Sequence, residues 1–140
     1  MLLLSTSFLS IPQLSVMNQI LVVAPNERPR RVEIPHTLAE MQQVVGGHIQ
    51  AVYPWKDLVA LVCDEEGLIN GKPLNRYIMP GMIIAGTFFI CGLGEEDFTD
   101  LPDDLAEKYE QRFYHPQAFA RVNGDIIAIG ADGSLTRVEL

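Results

Sequence analysis

Short apolar runs separated by turn residues form the main pattern of the chain. Two of these runs, 20–24 and 58–63, are unbroken and rich in β-branched residues, which is typical of buried strands. A longer run, 83–91, predicts the strongest strand of the chain. Residues 30–34 alternate polar and apolar side chains, as an antiparallel partner strand does, and the strand pattern resumes at 48–52.

Two segments carry the signals of a helix. Thr37 opens a capping box and Gly46 can adopt the left-handed conformation of a C-terminal cap, so the first helix is expected between them. The second helix is expected to begin after a cap at Thr99 or Asp100 and to end at Pro116. Its apolar stripe repeats every four residues. The stripe consists of Leu101, Leu105, Tyr109 and Phe113.

The C-terminal part of the chain predicts a three-stranded meander. An Asn-Gly pair and an Asp-Gly pair, both strong turn signals, separate the apolar segments 119–122, 125–129 and 135–140. Residues 72–81 contain two prolines and predict an irregular loop. The chain as a whole therefore predicts an α+β fold, with a mostly antiparallel sheet, two helices and a C-terminal β-meander.

The length of 140 residues indicates a single domain, which we assign to 17–140. Residues 1–16 are apolar but contain no Lys or Arg and are too short to span a bilayer, so we interpret them as an N-terminal extension outside the core. Cys63 and Cys91 end apolar runs and are expected to be buried thiols. Nothing in this pattern favours membrane insertion or an oxidising compartment, and a cytoplasmic location is expected.

Charge narrows the range of partners. The formal net charge is −8, and −7 of it falls in residues 91–140. This balance argues against direct binding of nucleic acid, which requires neutralised phosphates. The acidic segment can instead form a surface for a basic protein partner. The residues proposed for that surface are Glu95, Glu96, Asp97, Asp103 and Asp104.

Few residues are arranged for catalysis or metal binding. His36, His48 and His115 lie in different predicted elements, without a Cys or Asp at ligand spacing. The acidic segment lacks the spacing of a calcium loop, and no serine stands in a nucleophile elbow. We therefore expect no catalytic residue, no metal site and no cofactor, and we favour a binding protein over an enzyme.

Two loops offer the best candidates for ligand binding. One contains aromatic residues at a Tyr-Pro-Trp corner, and the other combines hydrogen-bond donors with a further tyrosine. Aromatic faces beside a guanidinium are a common way to hold a base and a phosphate. We expect the two loops to lie side by side around an open hollow. The candidate ligand-binding residues are Tyr53, Trp55, Lys72, Asn75, Arg76 and Tyr77.

Three motifs in order give the chain a family resemblance. They are VGG-x-I-x-x-VYP, EEG-x-x-NG-x-PLNR and AGTFFI, and with their flanking residues they resemble domain of unknown function 3846 over residues 18–116. The meander at 117–140 lies outside the resemblance. Members of this family are typical of phages and conjugative elements, so the resemblance implies an intracellular accessory protein of a mobile element. It carries over no catalytic residues.

Two functions from different classes follow as hypotheses. The first is capture of a nucleotide-derived small molecule, which would sequester a signal of the host's defence. The second is an acidic inhibitor or DNA mimic that binds a host defence protein. Because ligand pockets in small proteins often lie between subunits, we also consider a homo-oligomer.

Overall fold

The computed structural model describes residues 17–139, and the predicted extension 1–16 lies outside them. The described residues form eleven strands and two helices. The strands are β1 (Met17–Val23), β2 (Arg30–Pro35), β3 (Ile49–Val52), β4 (Val59–Asp64), β5 (Leu74–Met79), β6 (Met82–Ala85), β7 (Phe88–Leu93), β8 (Phe98–Thr99), β9 (Ala118–Val122), β10 (Asp125–Ile129) and β11 (Leu135–Arg137). The helices are α1 (Leu38–Val45) and α2 (Asp103–Arg112). All strand pairs are antiparallel, which confirms the predicted α+β class.

The main sheet has the strand order β2-β1-β7-β4-β3, with β8 paired to β7. Its three central strands meet where Leu21 and Leu61 both pair with Ile90. Successive side chains of a strand point to opposite faces, so these apolar runs supply two cores at once. One face packs against α1 through Met41 and Val45. The other packs against the apolar stripe of α2.

Two smaller sheets cover the α2 side. The β5–β6 hairpin contributes Ile78 and Ile84 to the core under α2. Its Ile83 packs instead with Ile126 and Ala128 of the meander β9-β10-β11. The hairpin therefore lies between the main core and the meander. Neither described helix has the length and apolarity needed to cross a bilayer.

The structure corrects two of the predicted elements. The expected loop 72–81 contains strand β5, because its two prolines fall just outside the strand and so remove no hydrogen-bond donor from it. The single strand expected at 83–91 is two strands, β6 and β7. Gly86, with φ of 81°, lies between them and turns the chain from one sheet into the other.

The ends of α2 also differ from the prediction. Pro102 occupies the N-cap position without a side-chain cap, and the helix ends at Arg112 rather than at Pro116. Asp100 does not cap the helix, because its carboxylate accepts a hydrogen bond from the backbone N–H of Gln19 at 2.7 Å. The meander is confirmed, and its last strand ends at Arg137.

Candidate functional site

Arg76 is the most unusual side chain of the described residues. It lies in β5 with only 2% of its surface exposed. Its Nη1 donates to Asn75 Oδ1 at 2.8 Å, and its Nη2 donates to the backbone oxygens of Phe113 and Glu27 at 2.8 and 2.9 Å. All of these acceptors are neutral, and no carboxylate of residues 17–139 lies within 4.0 Å of the guanidinium.

A buried charge without a counter-ion is costly, and the protein compensates Arg76 only in part. Burial lowers the pKa of Arg76 to about 10, so the guanidinium remains charged at neutral pH. Its Nε is buried and has no hydrogen-bond acceptor within the described residues. An anion beside Arg76 would supply the missing charge.

Arg76 lines a hollow of about 250 Å³ between α2, β5 and the meander, which we name the Arg76 hollow. The Tyr77 backbone N–H donates to Gln117 Oε1 at 2.6 Å and so joins two of its walls. The lining residues combine cations, aromatic rings and small residues. They are Arg76, Tyr77, Arg112, Phe113, His115, Pro116, Gln117, Gly130 and Ala131.

A second hollow of about 390 Å³ shares one lining residue, Arg112, with the first. We name it the Trp55 hollow. Its other lining residues are Pro54, Trp55, Lys56, Asp57, Lys108 and Tyr109. The guanidinium of Arg112 lies 5.3 Å from the centre of the Trp55 ring and donates to the Ile78 backbone oxygen at 3.3 Å. The two segments expected around one open hollow therefore line two different hollows, and the second segment is strand β5 rather than a loop.

The single carboxylate among the described residues lining these hollows is already neutralised. Asp57 Oδ2 accepts from Lys108 Nζ and from the Tyr109 hydroxyl, each at 2.7 Å. These two hydrogen bonds lower the pKa of Asp57, while burial raises the pKa of the Tyr109 hydroxyl. Lys56, Arg76 and Arg112 make no ion pair within residues 17–139, so both hollows are positive although the chain carries −8.

The structure distributes the six candidate ligand-binding residues over different environments. Trp55 lines one hollow, and Arg76 and Tyr77 line the other. Tyr53 is 60% exposed and lines neither of them. Asn75 is fully buried, and its amide donates to the backbone oxygens of Val23 and Gly86, both at 2.9 Å. Ligand contact by Tyr53 or Asn75 remains a prediction that this geometry does not favour.

Lys72 has a structural environment of its own. Its Nζ lies 2.6 Å from Asp64 Oδ2 and donates to the backbone oxygens of Val45 and Gly46, each at 3.0 Å. It thereby satisfies carbonyls at the C-terminal end of α1, where a cation is favourable. Lys72 lies outside both hollows.

The acidic surface is partly neutralised within the fold. Asp97 pairs with His36 Nε2 at 2.8 Å, and this hydrogen bond lowers the pKa of Asp97. Asp103 lies 3.6 Å from Arg31, which also forms a bidentate pair with Glu110. The remaining acidic candidates make no ion pair within the described residues. They are Glu95, Glu96 and Asp104, all exposed.

Sequence reasoning missed Arg112 as a site residue. A cation near the C-terminal end of a helix is favourable through the helix dipole alone, so the sequence does not single out Arg112. Arg112 directly precedes Phe113, the last residue of the apolar stripe. The position of Arg112 beside this stripe is the signal that could have indicated its role. The contact between the stripe and Trp55 is a tertiary contact, however, and the sequence does not reveal it.

The fold and these hollows define a small α+β protein with two cationic hollows on its surface. The family model for domain of unknown function 3846 matches residues 17–114. The chain belongs to this family, which confirms the resemblance. No curated protein and no solved structure matches the chain.

Proposed function

We propose that this protein is a non-catalytic binding protein that captures a nucleotide-derived anion at the Arg76 hollow. The observation that carries the proposal is the buried guanidinium of Arg76, which has neutral acceptors only and an unpartnered Nε. Arg112 adds a second cation to the same hollow and is exposed. Arg76 already donates from Nη1 and Nη2 within the protein, so it offers its charge and its Nε–H, while the exposed Arg112 offers a second guanidinium. A phosphate accepts charge-assisted hydrogen bonds from such groups.

The two cysteines support capture without a chemical reaction. Both cysteines are buried, and burial raises the pKa of Cys63 to about 11 and of Cys91 to about 12, so neither thiol is a ready nucleophile. Within residues 17–139 no cluster of His, Cys, Asp and Glu is arranged to hold a metal ion. In an accessory protein of a phage or mobile element, such capture would sequester a nucleotide signal of the host's defence.

Calorimetry with a small nucleotide panel tests the proposal. The panel consists of AMP, ADP-ribose, a cyclic mononucleotide and a cyclic dinucleotide. We expect at least one of them to bind, and we expect Arg112→Gln to weaken that binding by about tenfold to a hundredfold through loss of a charge-assisted bond. Arg112 is the better test position because it is exposed, whereas Arg76 also supports the fold.

The matched control is Arg121→Gln. Arg121 is an exposed arginine of the meander, makes no ion pair within the described residues, and lines neither hollow. This variant should bind as the original protein does. Absence of binding by the whole panel at millimolar concentration would refute the proposal, as would binding that Arg112→Gln leaves unchanged.

The acidic inhibitor remains the alternative proposal. Its support is the exposed group of Glu95, Glu96 and Asp104, which has no cationic neighbour in the described fold. The internal pairs of Asp97 and Asp103 reduce the charge available to a partner. Reversing the three exposed acids to Lys would abolish binding of a basic partner if this alternative holds, and would leave nucleotide capture intact if it does not.

A further inference from the structure

The Trp55 hollow differs from the Arg76 hollow in its chemistry. Trp55 is half-buried and packs on Tyr109, with ring centres 4.6 Å apart. Its indole Nε1 is buried and has no acceptor within residues 17–139. A buried indole N–H usually finds a partner, so the fold leaves this donor unsatisfied. Aromatic rings beside an unsatisfied donor suit a planar heterocycle.

The two hollows also differ in size. Pockets for small molecules typically enclose about 300–1,000 Å³. The Arg76 hollow, at about 250 Å³, falls below this range but admits a phosphate group. The Trp55 hollow, at about 390 Å³, lies within it. A ligand that used both would place its compact charged end and its larger ring end in different hollows.

Arg112 is the wall that the two hollows share. It is exposed, and its hydrogen bond to Ile78 is long at 3.3 Å, so few interactions hold its present position. Its guanidinium now lies over the Trp55 ring. A rotation of this side chain towards the Arg76 hollow would uncover that ring and place a second cation on an anion there.

From these observations, and resting on the proposed function, we infer that the ligand lies across both hollows. Its phosphate binds Arg76 and Arg112 in the smaller hollow, and its base stacks on Trp55 in the larger one. Arg112 exchanges its contact with the indole for a contact with the phosphate. Trp55 therefore decides that the protein takes nucleotides in preference to simple phosphate anions.

Trp55 is the one tryptophan of the chain, so its fluorescence reports directly on the stacking. We expect each nucleotide of the panel that binds to change the emission of Trp55. In calorimetry, Trp55→Phe should weaken the binding of such a nucleotide by about fivefold to tenfold, because the smaller ring stacks less and donates no hydrogen bond. Pyrophosphate, which has no base, should bind more weakly than the nucleotide and with the same affinity to both proteins.

The matched control is Tyr114→Phe, a conservative change at an exposed aromatic residue outside both hollows. It should leave every affinity unchanged. Two results would overturn this inference and leave the proposed function standing. In the first, a nucleotide binds through Arg112 without changing Trp55 emission. In the second, Trp55→Phe binds that nucleotide as tightly as the original protein does. If no nucleotide of the panel binds, the proposed function and this inference fall together.

Discussion

At the scale of single residues, Arg76 supports the fold and is also the residue on which the proposed anion capture depends. Its guanidinium joins β5 to the end of α2 through Phe113 and to the β1–β2 turn through Glu27. These are hydrogen bonds from Nη1 and Nη2 to neutral groups, so Nε has no acceptor among the described residues and the charge is unbalanced. An anion in the adjoining hollow would therefore balance this charge while Arg76 keeps its present hydrogen bonds.

Asp64 and Lys72 form the contrasting case, in which a charge is balanced inside the protein. Burial disfavours the Asp64 carboxylate, but the hydrogen bonds from Lys72 and from the Glu66 N–H outweigh it and lower the pKa of Asp64. A carboxyl whose pKa is lower in the folded state stabilises the fold above its unfolded pKa of about 3.9. That contribution is lost as the pH falls through the lower, folded value.

The lowered pKa of Asp64 gives a prediction for the stability of Asp64→Asn. The variant should unfold more readily than the original protein near neutral pH, and the difference in the free energy of unfolding should shrink in acid, below about pH 4. Urea unfolding at a series of pH values measures it. Subtracting the variant's free energy of unfolding from that of the original protein removes the effect of other carboxyls with lowered pKa, such as Asp57 and Asp97. A difference that stays constant across the series would contradict the role given to this pair.

At the scale of elements, the turn between β6 and β7 shows why one predicted strand is two. Gly86 has φ of 81°, and a Cβ built there would lie 2.8 Å from Lys72 Cδ. Lys72 cannot easily yield, because its Nζ is held by Asp64 and by the end of α1. The contacts of Lys72 with Asp64 and with the end of α1 therefore hold its side chain against the turn at Gly86.

Gly86→Ala tests this dependence, with Gly71→Ala as its control. Gly71 has a similar φ of 72° but open space around the position of a Cβ. We expect Gly71→Ala to cost about 1 kcal/mol for its backbone conformation alone, and Gly86→Ala to cost at least about 1 kcal/mol more for the steric conflict. Thermal or urea unfolding of both variants gives the two costs. Equal destabilisation would show that the close approach to Lys72 has no energetic weight.

The sequence allowed the elements to be predicted where a local signal controls them. Thr37 caps α1 as expected, since its hydroxyl accepts from the Glu40 N–H at 3.2 Å. Strand β5 was not predictable, because its register depends on the buried side chains of Asn75 and Arg76 meeting distant backbone groups. The candidate site was predicted in part for the same reason. Trp55, Arg76 and Tyr77 stood out by residue type, whereas Arg112 joins them only through packing.

At the scale of the whole molecule, the Arg76 hollow combines the family domain with the strands that follow it. The family match ends at residue 114, and Gln117, Gly130 and Ala131 form one side of the hollow. The meander is attached through a small cluster around Ile83 and Ile126. The meander therefore supplies one wall of the hollow at which we propose anion capture, and β5 and α2 supply the others.

The most direct test of anion capture observes the guanidinium groups themselves. In a ¹H–¹⁵N spectrum of the arginine side chains, the Nε–H of Arg76 should give a slowly exchanging signal, because this group is buried. Addition of a panel nucleotide that binds should shift the Nε–H signals of Arg76 and Arg112 and leave that of Arg121 in place. Saturation with such a nucleotide while the Arg76 and Arg112 signals stay unmoved would place the ligand elsewhere and contradict the account.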